Sequence, residues 1–267
     1  INKIGFGLVV YGAAVAASNS SGTWTATFLY AEGTTAGSTY GVAATVTDNA
    51  GNVTTTSDDE QLSLDNVATP APSGALLDTA DNTGSTSDAI TSETRPTIGG
   101  TGQANATIDL FVNGNFVGQA TADGIGVWSY TFVSNLAEGA NSITSTATDA
   151  VGNTSEASAA YIVTIDTIPP SQPPAPALEA ASDTGVTSDL LTFDTTPEVS
   201  GSAEANSTVE IFVGGVSKGT VQADVNGDWS FTLPDGSLSE GSNAITLTST
   251  DPAGNTSLTS SALTIDL

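Results

Sequence analysis

Asp48, Asp149 and Asp251 each open one short segment, Asp-x-x-Gly-Asn, and Asp65, Asp166 and Asp266 each close an aliphatic alternation downstream of it. Other acids keep step with these. Asp123, and Asp224 with Asp228, precede tryptophan-bearing stretches, while Asp81 with Asp88 and Asp183 with Asp189 lie in acidic loops further upstream. Carboxylates gathered without cationic side chains are suited to holding a hard cation. The chain has no histidine and no cysteine, so the nitrogen and sulfur ligands of ordinary zinc, copper and iron sites are missing, and the residue types fit oxygen-liganded Ca²⁺. The same absences remove a nucleophilic triad and any evident general base. Paired carboxylates could hydrolyse glycosides, but that chemistry needs a single cleft, whereas these acids recur at loop positions in every repeat. The sequence reads as non-enzymatic.

Three Lys and Arg against 29 Asp and Glu give a net charge of -26. So few cations cannot neutralise a phosphate backbone or an anionic bilayer, which argues against nucleic acid and membrane insertion. Charged residues are nevertheless only 12% of the chain and apolar ones 38%, too apolar a mixture for an acidic disordered tail. The chain is expected to fold. Without disulfides, small extracellular cores need another staple, and metal is the usual one. No run of transmembrane length and no cationic leader is present. The pattern is already under way at Ile1, so the chain reads as an excerpt of a longer protein.

These acids need elements to carry them, and the elements repeat. Asp65 to Asp166 is 101 positions and Asp166 to Asp266 is 100, the size of a sandwich with its own core. The expected division is 1–66, an incomplete or variant repeat, then 67–167 and 168–267. In the first, Ile4 to Val15 is apolar and glycine-rich, Ser18 to Gly22 reads as a polar turn, and Trp24, Ala26 and Phe28 alternate as in a strand. In the second, Ile108, Leu110 and Val112 alternate up to Asn113-Gly114, a hairpin signal because both residues accept positive φ. Trp128, Tyr130 and Phe132 follow, and the third repeat copies the order from Val209 to Leu233. Trp24, Trp128 and Trp229 read as core. No segment sustains a period of 3.6, so the class is all-β: tandem immunoglobulin-like antiparallel β-sandwiches arranged end to end.

In a seven-stranded sandwich labelled A to G, alternate loops collect at opposite ends. That places Asp123 and Asp149 at the upper pole of the second repeat, facing Asp65 at the end of the first. Asp166 likewise faces Asp224, Asp228 and Asp251 of the third repeat. Carboxylates converging to a few ångströms repel by on the order of several kcal/mol, and Ca²⁺, which takes about six to eight oxygens in loose geometry, resolves the conflict. Asp81, Asp88, Asp183 and Asp189 form a second set in the A to B loops, for a site within a repeat or at its lower pole. A simpler role stands beside the metal. Asp-x-x-Gly-Asn is also a tight turn in which the acid caps backbone N–H groups, and that is the role expected of Asn52, Asn153 and Asn255. A turn gains nothing from an acid at each strand end, so there calcium is expected.

Gly-Asp-Trp-Ser-Phe-Thr (227–232), Leu-x-Glu-Gly-x-Asn (238–243) and Thr-Asp-x-x-Gly-Asn-x-Ser (250–257), closing on Thr-Ile-Asp (264–266), resemble the bacterial Ig-like repeats of giant, calcium-binding surface adhesins exported by type I secretion. The resemblance covers the second and third repeats and the latter part of the first. It implies Ca²⁺ at repeat junctions, a long stalk outside the cell, neighbouring repeats as immediate partners, and attachment of the whole protein to host cells or surfaces. Val127 stands where the third repeat has Asp228, which leaves one junction a ligand poorer. A rival reading, in which loops recognise a glycan or host protein directly, rests on Tyr11, Tyr30 and Tyr40 of the irregular first repeat.

Overall fold

Runs of Thr, Val and Ile extend because β-branched side chains are stiff and pack well on a pleated surface, and period-two alternation gives each run one apolar side. The computed structural model describes residues 67–186 and 189–267, together with strand segments between residues 5 and 63. Compactness divides the chain into residues 1–70 with the loop 148–155, and residues 71–147 with 156–267.

The first unit holds β1 (Gly5–Gly7), β2 (Val9–Val10), β3 (Ala13–Ala14), β4 (Ser18–Ser20), β5 (Thr23–Thr25), β6 (Thr39–Thr47) and β7 (Val53–Ser63). β1, β6 and β7 make one antiparallel sheet, while β2 pairs with β3 and β4 with β5. Ser18–Ser20 is therefore a strand rather than part of the turn its composition suggested, paired with β5 in register from Ser18–Thr25 to Ser20–Thr23. Asp48, Asp65, Tyr11 and Tyr30, and the side chains of Trp24 and Tyr40, lie outside the described residues.

The second unit opens with β8 (Ser73–Leu77), β9 (Ile90–Thr91), β10 (Thr97–Thr101), β11 (Thr107–Val112), β12 (Asn115–Thr121), β13 (Val127–Thr131), β14 (Gly139–Thr148) and β15 (Tyr161–Ile165). The sheets are β13-β10-β8 and β12-β11-β14-β15-β9. Then come β16 (Ala177–Leu178), β17 (Glu198–Ser202), β18 (Thr208–Val213), β19 (Val216–Gln222), β20 (Asp228–Thr232), β21 (Ser242–Thr250) and β22 (Leu263–Asp266). They form β16-β17-β20 and β19-β18-β21-β22. Each pair of sheets encloses its own core, one built on Ile98, Leu110, Trp128, Ile143 and Val163, the other on Val199, Ile211, Trp229, Ile245 and Ile265. Burying each such side chain is worth about 1.5–3 kcal/mol, which the alternation secures. β9, absent from a seven-strand reading, pairs in parallel with β15, and an isolated parallel bridge from Leu191 to Asp266 takes its place in the third repeat.

Trp128 and Trp229 lie over glycines. A Cβ on Gly100 would stand 2.9 Å from Trp128 Cζ2, and one on Gly201 would stand 2.8 Å from Trp229 Cζ2. Both indole N–H groups are buried without an acceptor, so the rings contribute apolar area and shape rather than a hydrogen bond. Gly201→Ala should therefore cost the third sandwich about 1–3 kcal/mol through overpacking. Urea denaturation followed by Trp229 fluorescence, with Trp24 and Trp128 replaced by Phe, measures it; an unchanged midpoint would contradict this packing.

Candidate metal centre

The Asp-x-x-Gly-Asn segments between β14 and β15, and between β21 and β22, are turns closed by their own first residue. Asp251 N donates to Asn255 O at 3.0 Å, Gly254 N to Asp251 O at 3.1 Å, and Gly254 takes φ +90°. Asp251 Oδ1 accepts from Asn255 N and Oδ2 from Asn255 Nδ2, each at 2.9 Å. Asp149 grips Asn153 in the same two ways and also accepts from Val151 N. Its hydrogen bonds, that of the Asn153 side chain foremost, hold the Asp149 carboxyl below its ordinary range. Thr69 Oγ1 adds a bond to Asn153 O at 2.8 Å.

The same device appears between β12 and β13. Asp123 Oδ1 accepts from Ile125 N and Val127 N. Asp224 Oδ1 accepts from Asn226 N at 2.7 Å and Asp228 N at 2.9 Å. The backbone bonds from Asp228 and Asn226 hold the Asp224 carboxyl low. In the loop after β8, Asp88 Oδ1 caps Ile90 N and Asp81 Oδ2 accepts from Thr97 N; in the equivalent loop after β16, Asp189 Oδ1 caps Leu191 N. Asp81 corresponds to Ser182, whose hydroxyl accepts from Glu198 N. The apparent repeat of Asp81 in Asp183 is thus displaced by one residue, and Asp183 corresponds to Asn82.

One predicted grouping is brought together in part, at the seam between the second and third sandwiches. Asp166 and Asp251 meet through Asn255, whose Nδ2 donates to both Asp166 O, at 2.8 Å, and Asp251 Oδ2. Asp251 is 4% exposed. The third acid is Glu204, in the loop between β17 and β18, which repetition alone did not mark because the second repeat has Gln103 there. Partial desolvation, then the charges of Asp251 and Asp166, push the Glu204 carboxyl above its ordinary value. Asp224 and Asp228 are not among the charges that act on Glu204; Asp224 caps its own turn and Asp228 starts β20. Among the described residues no group of three acids forms a ready metal cage. In charge the seam suits a divalent cation, because Glu204 feels the charges of Asp251 and Asp166, while the Asn255 amide stands between the Asp251 carboxylate and the Asp166 backbone carbonyl.

The seam also has a direct lock that sequence reasoning missed. Ser85 N donates to Pro252 O at 3.0 Å, and Thr83 Oγ1 donates to Ala253 O. Gly84, at φ +69°, lies so close that a Cβ would come within 2.2 Å of Pro252 O. The loop after β8 of one sandwich is thus seated on the β21–β22 turn of the next.

The bacterial Ig-like domain profile matches residues 68–167 and again 170–267. The chain belongs to the bacterial Ig-like family. Among solved structures, this bacterial Ig-like chain is similar to a Ca²⁺-stabilized adhesin with which an Antarctic bacterium binds ice, at 26% identity over 85% of the chain, with a TM-score of 0.40. It is also similar to a tetra-tandem repeat from the extending region of a large adhesion protein, at 22% identity over 99% of the chain and 66% of that structure, TM-score 0.32. A 1.5-MDa bacterial ice-binding adhesin gives 23% identity over 85% of the chain and 74% of that structure, TM-score 0.34. The chain spans 57% of the first of these structures. No curated protein matches it.

Proposed function

We propose that this chain is a segment of the extended stalk of a large bacterial adhesin, divided as 1–66, 67–167 and 168–267, with divalent cations at its seams holding successive sandwiches in line. Ca²⁺ is the ion of choice, and Asp251, Glu204 and Asp166 are the residues that would hold it. The observation that carries the reading is the seam itself, where burial, then the charges of Asp251 and Asp166, raise the proton affinity of Glu204 in a chain with three Lys and Arg in all. The stalk stands outside the cell, where its partners are neighbouring repeats. The receptor belongs to the whole protein, on a host cell or another surface.

At calcium near 1 mM and a module affinity of about 10⁻⁴ to 10⁻³ M, each site adds up to about 1.4 kcal/mol by mass action. That biases a joint, and several sites in series stiffen a rod. Calorimetric titration should therefore show Ca²⁺ uptake that Mg²⁺ does not match, and small-angle scattering should show a shorter, broader distance distribution once a chelator is added. A maximum dimension indifferent to the chelator rules out calcium stiffening.

A further inference from the structure

A groove of about 440 Å³ runs between the β11–β12 hairpin and the segment after β13 of the second repeat. From this groove we infer a binding site for neutral saccharides, separate from the seams and independent of the stalk reading. Its volume falls in the range of about 300–1,000 Å³ typical of small-ligand sites, with room for a disaccharide. Tyr130 and Phe132 line it, their rings packed edge to face at 5.4 Å. On its rim stand Phe116, 57% exposed, and Val133, 75% exposed. Between these apolar surfaces lie the amides of Asn113, Asn115 and Asn135; the Asn135 side chain has no partner among the described residues.

Two comparisons within the chain show that the fold does not require this surface. By strand register, Phe116 corresponds to Ser217 in the third repeat. Likewise Val117 and Ser134 correspond to Lys218 and Asp235, so the sister position carries charges and lacks the exposed ring of Phe116, while Phe231 stands there in place of Tyr130. In a chain of net charge -26, the residues lining the groove are all uncharged, which suits neither an anionic nor a cationic ligand. The exposed Phe116 ring, beside the Asn135 amide and the groups that Asn113 and Asn115 leave free of their own bonds to Ser142 N and Asn113 O, matches a pyranose, whose C–H face packs on an aromatic ring while its hydroxyls bond to the amides. Addition of a peptide strand at β12 is less well served, because Tyr130 Oη already donates to Val117 O at 2.9 Å.

The test is an amide NMR titration of the full ¹⁵N-labelled chain with maltose, cellobiose, lactose and N,N′-diacetylchitobiose, each to about 10 mM, enough to reveal millimolar binding. At least one should give saturable shifts at Asn113, Asn115, Phe116 and Asn135. Phe116→Ser, which installs the sister residue at an exposed position, should weaken that binding at least about tenfold without changing the melting temperature. Asn135→Ala should weaken it too. Saturable shifts from none of the four sugars, shifts that survive Phe116→Ser, or saturation of the same amides only by an apolar peptide such as acetyl-Leu-Val-Phe-amide would each overturn the inference. Repeating the titration in chelator separates this site from the seams, since its response should be unchanged there.

Discussion

Gly84→Ala should unlock the second sandwich from the third while leaving both cores folded. The new Cβ would sit 2.2 Å from Pro252 O and 2.6 Å from Gly254 N, and both obstacles are backbone, so no side chain can swing away. Relief requires the loop to withdraw, which breaks the bonds from Ser85 N and Thr83 Oγ1, each worth about 0.5–1.5 kcal/mol net. A left-handed φ adds about 1 kcal/mol for any residue with a Cβ. Together these reach a few kcal/mol, or on the order of a hundredfold at about 1.4 kcal/mol per decade. Hydrogen exchange at the Ser85 amide should accelerate by that factor, with the amides of β11 and β18 unaffected. Gly185→Ala is the control. Gly185 is the equivalent residue of the third repeat, at φ +90° with nothing within 4 Å of its added Cβ, so it bears the conformational cost without the collision. Equal acceleration in the two variants would mean that the contact contributes nothing.

The lock shows where sequence reading reached and where it stopped. Alternation located the cores because burial on one side of a strand forces period two, and Asn113-Gly114 announced its hairpin because Asn113 and Gly114 do adopt φ +50° and +80°. Both signals are local. The seam is not local: Thr83 meets Ala253 across 170 positions, and a Thr-Gly-Ser tip carries no mark that distinguishes docking from an ordinary bend. Repetition was a good guide to turns and a partial one to the seam chemistry, since it marked Asp166 and Asp251 but not Glu204. The acids that recur at equivalent positions, Asp123 with Asp224 and Asp88 with Asp189, cap their own backbone, a task every copy of the fold must perform. Glu204 occurs once, opposite Gln103, and is the acid drawn into the charged seam. The substitution of Ser182 for Asp81 has a similar lesson, since a hydroxyl and a carboxylate accept equally from the strand N–H behind them.

Glu204 and Asp251 should respond in opposite directions when the chain is metal-free. Asp251→Asn places an amide nitrogen where Oδ2 now accepts from Asn255 Nδ2, setting donor against donor at a position 4% exposed, and should cost about 1–3 kcal/mol. Glu204→Gln instead removes a charge that Asp251 and Asp166 repel, so in chelator it should leave stability unchanged or raise it slightly. The pH dependence follows from partial desolvation of Glu204 and then from the same repulsion. Because the Glu204 carboxyl holds its proton more tightly folded than unfolded, its contribution is fully present below its ordinary 4.5 and is lost as the pH rises through the folded value. Asp149 and Asp224 titrate the other way, adding stability above their ordinary 3.8 and losing it as the pH falls through their lowered folded values. Acidifying the metal-free chain from neutrality should therefore first raise and then lower its melting temperature, and Glu204→Gln should abolish the rise alone. Millimolar Ca²⁺ should place the native chain above both variants, since a cation bound between the acids turns their repulsion into attraction, and each variant should lose most of the calcium-dependent gain of the native chain. A Glu204→Gln protein that gained as much from calcium as the native chain would exclude Glu204 from the centre and leave its raised proton affinity as crowding alone.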